Sequence, residues 1–263
     1  MPIDPVRLRA RAVEAASQMV NPSRCAAALR HLLTDYADRA HRYSPRLAES
    51  ALLNEYKTPA PVVRAIVAAL RRPAAASPDE ALALARALWA AGSREERRLA
   101  AEVLGLVAAR APAEVEALVQ AWLPEADSGE TVDALAQRAL APLLAGDAYR
   151  YLQRAQRWAL QPDRWARRFG VALLSALARD RRWDDVPAAL DILRGLMTER
   201  DPVVRPAVVA ALHDLAPRDP VAVERFLREQ AGRPDHNTHL IVRAALRVLP
   251  AEVRDDLVRA MRA

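Results

Sequence analysis

Asp-Pro-Val occurs three times in this chain, at Asp4, Asp201 and Asp219, and each time a periodic apolar stretch follows. Asp before Pro marks a helix start. The carboxylate accepts from first-turn N–H groups, and the proline ring presets φ at a position that needs no intrahelical donor. Two further starts have capping-box form, Ser77-Pro78-Asp79-Glu80 and Ser93-Arg94-Glu95-Glu96, the second directly after Gly92. Starts this closely spaced leave room for helices of about 12 to 18 residues and little between them. The pattern predicts helices over 5–19, 22–39, 44–55, 59–72, 78–91, 94–110, 113–124, 129–145, 148–160, 163–179, 185–198, 202–215, 220–230, 238–249 and 251–261. Composition agrees: 7 Gly against 19 Pro in a chain filled with Ala, Leu, Val, Arg and Glu favours stacked helices over sheets.

Taken in pairs, these helices form units of about 35 to 40 residues, the period range of HEAT, armadillo and tetratricopeptide arrays. The segment ERDPVVRPAVVAALHDLAPRD resembles a HEAT repeat, with a capped start, an Arg after two valines and an Ala/Val/Leu stripe. No long linker intervenes; only Ala74-Ala75-Ala76 and the turn at Ala231 look loose. The expected fold is therefore all-α, a curved α-solenoid of HEAT-like antiparallel helix pairs forming a single domain over 1–263. Its concave face is the expected binding surface.

The formal net charge is +6 and the pI near 10.2. Between Arg150 and Arg182 lie nine arginines against Asp163 and Asp180, a local excess of seven positive charges that leaves the rest of the chain near neutral. Lys57 is the lone lysine. A guanidinium fork suits phosphate better than a point ammonium does, although a GC-rich genome also favours Arg codons. Arg150, Arg154 and Arg157, at i, i+4 and i+7, share one helical face, and Arg164, Arg167 and Arg168 cluster on the next helix. Two readings stand: basic faces lining one groove, or a solvated outer face partly neutralised by Asp163, Asp180, Asp184 and Asp185.

Other chemistry is thinly supported. Cys25 is the single cysteine, and there is no CxxC or Cys/His ligand set, so no disulfide, metal or cofactor is expected, and a reducing cytoplasmic setting is. The start, MPIDPVRLRARAVE, lacks the apolar core of a secretion signal, and no uncharged apolar run approaches the length of a membrane span. Walker, GxGxxG, GxSxG and HExxH motifs do not occur. His236 and His239, beside Asn237 at a helix start, read as polar or capping residues. Trp89, Trp122, Trp158, Trp165 and Trp183 sit within apolar patterns and read as core packing before base stacking. Asp133, one turn inside a helix starting near Ser128, complements the positive helix start; beside a basic groove, a carboxylate there is also a candidate for chemistry.

Several stretches in order resemble the AlkD-like DNA alkylation repair glycosylases, a HEAT-like family, over nearly the whole chain. YKTPAPVVRAIVAAL is similar to the family's Tyr, Thr-Pro and Leu/Val-Arg segment. ARALWAAGSREERRLAAEVLG is similar to its Leu-Trp followed by Arg-Glu-Glu-Arg, the most specific match. SGETVDALAQRAL falls at the family's Trp-Asp/Glu-x-x-Asp, DRWARRFGVALLSAL at Trp-x-Arg-Arg, and DPVVRPAVVAALHDL at Val-x-Lys-Ala-x-x-Trp-x-Leu-Arg.

The resemblance implies a DNA-binding protein of base excision in alkylation repair. Its substrate would be double-stranded DNA carrying N3- or N7-alkylated purines, held in the concave groove without flipping the base into a pocket. It places Asp133 on the catalytic carboxylate of a DNA glycosylase and Arg168 beside it against the DNA backbone, with Arg150, Arg154, Arg157, Arg164 and Arg167 as further DNA-binding candidates, and it implies no cofactor or metal. The chain departs from the family at Gly129 and Ala210, which replace two aromatics that flank the lesion sugar, and at Pro206, which replaces a lysine. Those departures point to an altered glycosylase or to a member that has given up excision. The alternative is a noncatalytic HEAT-repeat scaffold binding DNA or an acidic protein partner.

Overall fold

A computed structural model describes residues 3–37 and 56–261, and every regular element among them is helical. In chain order the helices are α1 (Pro5–Ala16), α2 (Pro22–Asp35), α3 (Ala60–Ala76), α4 (Pro78–Ala91), α5 (Arg94–Val107), α6 (Pro112–Trp122), α7 (Gly129–Ala134) and α8 (Ala141–Leu144). They continue as α9 (Ala148–Ala159), α10 (Arg164–Arg179), α11 (Val186–Arg194), α12 (Arg205–Leu215), α13 (Pro220–Ala231), α14 (His236–Ala245) and α15 (Ala251–Ala260). The helix expected over 44–55 lies outside the described residues. No described helix is long and apolar enough to cross a membrane.

The capping signals act as their chemistry requires at most starts. Asp4, Asp219 and Ser93 accept from first-turn N–H groups. Ser77 precedes α4 without a side-chain cap. Asp201 instead closes a turn by accepting from Val203 N–H at 2.8 Å, and α12 begins only at Arg205. Helix α3 runs through Pro73 to Ala76, past the expected end at 72; Arg110 donates to the Ala75 carbonyl and helps satisfy that last turn.

The helix expected over 129–145 is divided. A π-helical turn spans Leu135–Ala139, and a separate short α8 follows. Pro142 has no N–H to give to the Arg138 carbonyl four residues back, and its ring clashes there, which ends the regular ladder. Gly105 of α5 makes room for that carbonyl: a Cβ on Gly105 would overlap the Arg138 oxygen and stand 3.2 Å from its carbonyl carbon.

The chain forms two compact units, one within Met1–Ala121 plus Arg138–Pro142 and the other within Trp122–Gln137 plus Leu143–Ala263. In the first, α3 packs on α1 and α5, and α4 packs on α2 and α5. Leu29, Leu33, Ile66, Leu70, Leu84, Leu88, Leu99 and Leu104 are completely buried there. The stretch around Ser93-Arg94-Glu95-Glu96 serves this packing. Glu96, buried, takes the Arg30 Nε at 2.7 Å, and Glu95 accepts from the N–H groups of Tyr56 and Thr58 at 3.0 and 3.3 Å. Between those two donors Lys57 adopts φ 53°, a left-handed conformation that the shared carboxylate secures. Arg97 lies over the Trp89 ring, 5.0 Å from its centroid.

In the second unit α10 packs on α7, α9 and α12, and α12 packs on α14, while α11 contacts α9 and α13. A constant register ties neighbouring helices together. Arg168 bonds Asp133 and the Val203 carbonyl, Arg179 bonds Asp214, Arg194 bonds Glu229, and Arg218 bonds the Trp183 carbonyl, each across 35 residues of sequence. The Arg110 to Ala75 bond in the first unit has the same separation. These arginines fasten one helix pair to the next.

Candidate functional site

Helix α7 starts at Ser128, whose Oγ accepts the Thr131 N–H at 3.2 Å. This cap sets Asp133 one turn in, with its side chain 31% exposed. Asp163 caps α10 by accepting the Ala166 N–H at 2.8 Å, which fixes the rotation of the Arg167-Arg168 pair. Residues adjacent on a helix do not face the same way, and here they serve different neighbours.

Arg168 points to α7. Its Nε and Nη2 meet Asp133 Oδ1 and Oδ2 at 2.9 and 2.6 Å, a two-pronged ion pair, and Nε also donates to the Gly129 carbonyl at 3.1 Å. Nη1 donates to the Val203 carbonyl ahead of α12. The arginine is 12% exposed and ties three segments of chain together.

Arg167 turns toward Glu199. Nε donates to Glu199 Oε2 at 2.8 Å, and Nη1 to the Pro162 carbonyl at 2.6 Å. Burial pushes the Glu199 carboxyl up, but Arg167 and the backbone N–H groups of Asp201 and Arg200 outweigh it and hold the group below its usual range. Arg167 is thus engaged within the fold.

The other arginines reach outward to varying degrees. Arg150, Arg157 and Arg164 are exposed, and Arg154 is half-buried. Arg150 and Arg154 each place a guanidinium carbon 5.6 Å from the centroid of buried Tyr151, and Arg164 lies over Trp165 at 4.8 Å. Farther along, Arg179 is held by Asp214 at 2.8 Å and by Gln137, and Arg182 by Asp180 at 2.9 Å. The sequence window that carries seven excess charges is therefore partly neutralised by Asp133, Glu199 and Asp214, which lie outside it.

Trp89, Trp122 and Trp183 are buried, while Trp158 and Trp165 are half-buried, with Trp158 edge-on to Phe169. Asp235 caps α14 through Thr238; His239 contacts the Ala231 carbonyl. Among the described residues no three His, Cys, Asp or Glu side chains cluster as metal ligands.

Gly129 acquires a role that its sequence context does not announce. A Cβ at this position would stand 2.7 Å from Arg168 Nε and Nη1, so the guanidinium occupies the space that a side chain would enter. Val203 and Glu199 were likewise not singled out by sequence; only the 35-residue offset links Val203 to Arg168. The other two departures, Pro206 and Ala210, stand on α12 along an open groove.

Chemically, the site offers one half-exposed carboxylate, fixed in orientation and partly charge-compensated by a guanidinium. It can stabilise a nearby cation without a metal. No curated protein and no solved structure matches the chain. The family model of the DNA alkylation repair enzymes matches residues 55–249, and on that match, which takes in the whole Asp133, Gly129, Arg168 and Val203 cluster, the chain belongs to the DNA alkylation repair family.

Proposed function

We propose that this protein binds alkylated duplex DNA and that Asp133 serves hydrolysis of the N-glycosidic bond of N3- or N7-alkylated purines. The observation that carries this reading is the Asp133 carboxylate itself, reachable from solvent yet pinned by Arg168, in a chain of the alkylation repair family. A purine made cationic by alkylation is already a good leaving group. The electron pair of the C1′–N bond passes to the purine, which departs neutral. The sugar is left as an oxocarbenium ion, which a fixed carboxylate stabilises; water adds at C1′ and releases a proton to solvent. Exposed Arg150, Arg157 and Arg164, with Arg154, are the proposed phosphate contacts, and Arg168 is the positioning residue for Asp133. The 35-residue register supports reading the helices as HEAT-like repeats.

The deciding experiment follows base release from duplex DNA containing N7-methylguanine or N3-methyladenine, with salt-dependent binding to the same duplex measured in parallel. Wild type should release base above spontaneous depurination, and Asp133→Asn should not. A specific observation favours a second reading, binding without excision: both Asp133 oxygens are already engaged by Arg168, and Gly129 and Ala210 carry no ring at the two positions where the family pattern has aromatics. Salt-sensitive binding with no release by either protein selects that reading. Absence of salt-sensitive binding overturns both.

A further inference from the structure

We infer that the outward face of α1 is an interface for a second copy of this chain, whose own α1 docks against it in the opposite direction. Leu8, Ala12, Ala15 and Ala16 form the buried side of this helix, which packs on α2 and α3. On the other side Val6, Ala10, Val13 and Ser17 are all exposed, Val6 at 78% and Val13 at 54%, and Val20 in the turn that follows is exposed at 87%. Residues 6, 10, 13 and 17 have the four-three spacing of a coiled-coil seam. A continuous apolar stripe in water gains free energy by meeting another apolar surface.

Two features of the seam select its own copy, reversed. Size is the first. Valines alternate with the small Ala10 and Ser17, so an antiparallel partner sets Val13 against Ala10 of the second copy and Val6 against Ser17 of the second copy. Each layer then joins a large and a small side chain, whereas a parallel partner would stack Val on Val and Ala on Ala, giving layers of unequal width. Charge is the second. Exposed Arg7 and Glu14 flank one edge of the seam, and neither side chain has an ion-pair partner among the described residues. Two turns of helix, about 10 Å, keep them from pairing with each other. In the reversed register Arg7 of each copy comes beside Glu14 of the other, so one sequence supplies two ion pairs related by a two-fold axis, and the helix dipoles also oppose. Arg11, on the same edge, is already held by Asp35. Arg9 borders the other edge, level with Ala16 of the second copy, and meets no like charge there. One helix pair covers less than the roughly 800 Å² per partner of a standard interface, so the dimer is weak, with a dissociation constant on the order of 10 to 100 μM. The seam contains none of the residues around Asp133, and the inference is independent of the proposed excision chemistry.

Sedimentation velocity of the full chain from about 5 to 500 μM tests it. The weight-average mass should rise from monomer toward dimer across that range. Val13→Glu, at an exposed position, should weaken association at least about tenfold while leaving the melting temperature unchanged. Arg7→Glu and Glu14→Arg should each weaken it about tenfold when alone, because like charges then face each other. An equimolar mixture of those two variants should associate as tightly as wild type, since opposite charges meet again at both pairs. A chain that stays monomeric throughout overturns the inference. Association indifferent to Val13→Glu also overturns it, by placing the contact elsewhere, and so does a mixture no tighter than its two components, which excludes the reversed pairing.

Discussion

The guanidinium of Arg168 fills the space beside Gly129 that any side chain at position 129 would enter, and its Nε donates to the Gly129 carbonyl at 3.1 Å. The glycine and the arginine are therefore one device. Without a side chain at 129, Arg168 lies flat against the start of α7 and grips both oxygens of Asp133. The aromatic expected at this position from the family pattern is excluded while the arginine remains there.

Replacing that glycine should disturb Asp133 through Arg168. Gly129→Ala should destabilise the fold by about 1–3 kcal/mol, the usual range for overpacking. Gly129→Trp should expel the guanidinium altogether. Melting curves measure the first effect. For the second, the Arg168 side-chain Nε–H resonance should shift and lose its protection from exchange; an unchanged resonance would refute the steric argument.

Arg168→Lys keeps the charge but loses the fork and the contacts to Gly129 and Val203. One ammonium cannot satisfy two carboxylate oxygens and two carbonyls in this geometry. A loss of about 2–4 kcal/mol in unfolding free energy is expected, because the half-buried Asp133 is left poorly paired. Denaturant titration of the two proteins checks it.

Glu199 links stability to pH. Its folded carboxyl titrates below the unfolded one, so its stabilising contribution is complete above the unfolded value of about 4.5 and is lost as pH falls through the lower folded value. Glu199→Gln should accordingly be destabilised at pH 7 by about 2 kcal/mol, the scale of a charged hydrogen bond. The gap to wild type should close as pH falls through that acidic window. A gap constant with pH would remove Glu199 as the titrating group.

Cys25 should be inert. It is completely buried, its Sγ lies 3.3 Å from the Ala15 carbonyl, and desolvation pushes the thiol up to about 11. The native protein should resist thiol-disulfide reagents at pH 8 and react fully once unfolded. Rapid native labelling would contradict this burial.

Exposed and engaged arginines should separate experimentally. Arg157→Glu and Arg164→Glu should weaken DNA binding without base preference, each lowering the slope of log affinity against log salt by about one. Both should leave the melting temperature almost unchanged. Arg179→Glu should instead lower stability, because Arg179 is held by Asp214 and Gln137. Equal effects of all three on binding would argue for a diffuse electrostatic surface.

Helix starts were legible because a cap is local: Asp4, Ser93, Asp163 and Asp219 each satisfy an N–H two or three residues away. Asp133 and Arg168 were legible as candidates through the family pattern. The division of the helix after Ala134 was harder to read, because the π turn over Leu135–Ala139 depends on close approach to Gly105 as well as on Pro142. Glu95 and Glu96 were legible only as a first-turn pair, although their partners, Tyr56, Thr58 and Arg30, lie 37 to 66 residues away.

Charge shows the division most clearly. Sequence alone determined that nine arginines lie between positions 150 and 182, that the chain is helical, and that Asp133 follows a capped start, since composition, periodicity and capping act over a few residues. Tertiary structure alone decided which arginines remain exposed, that Arg168 and Gly129 share one space, and that α12 and α14 leave a groove between them. Those outcomes depend on which side chains meet across helices about 35 residues apart, and a guanidinium that finds a carboxylate there is no longer free to meet a phosphate.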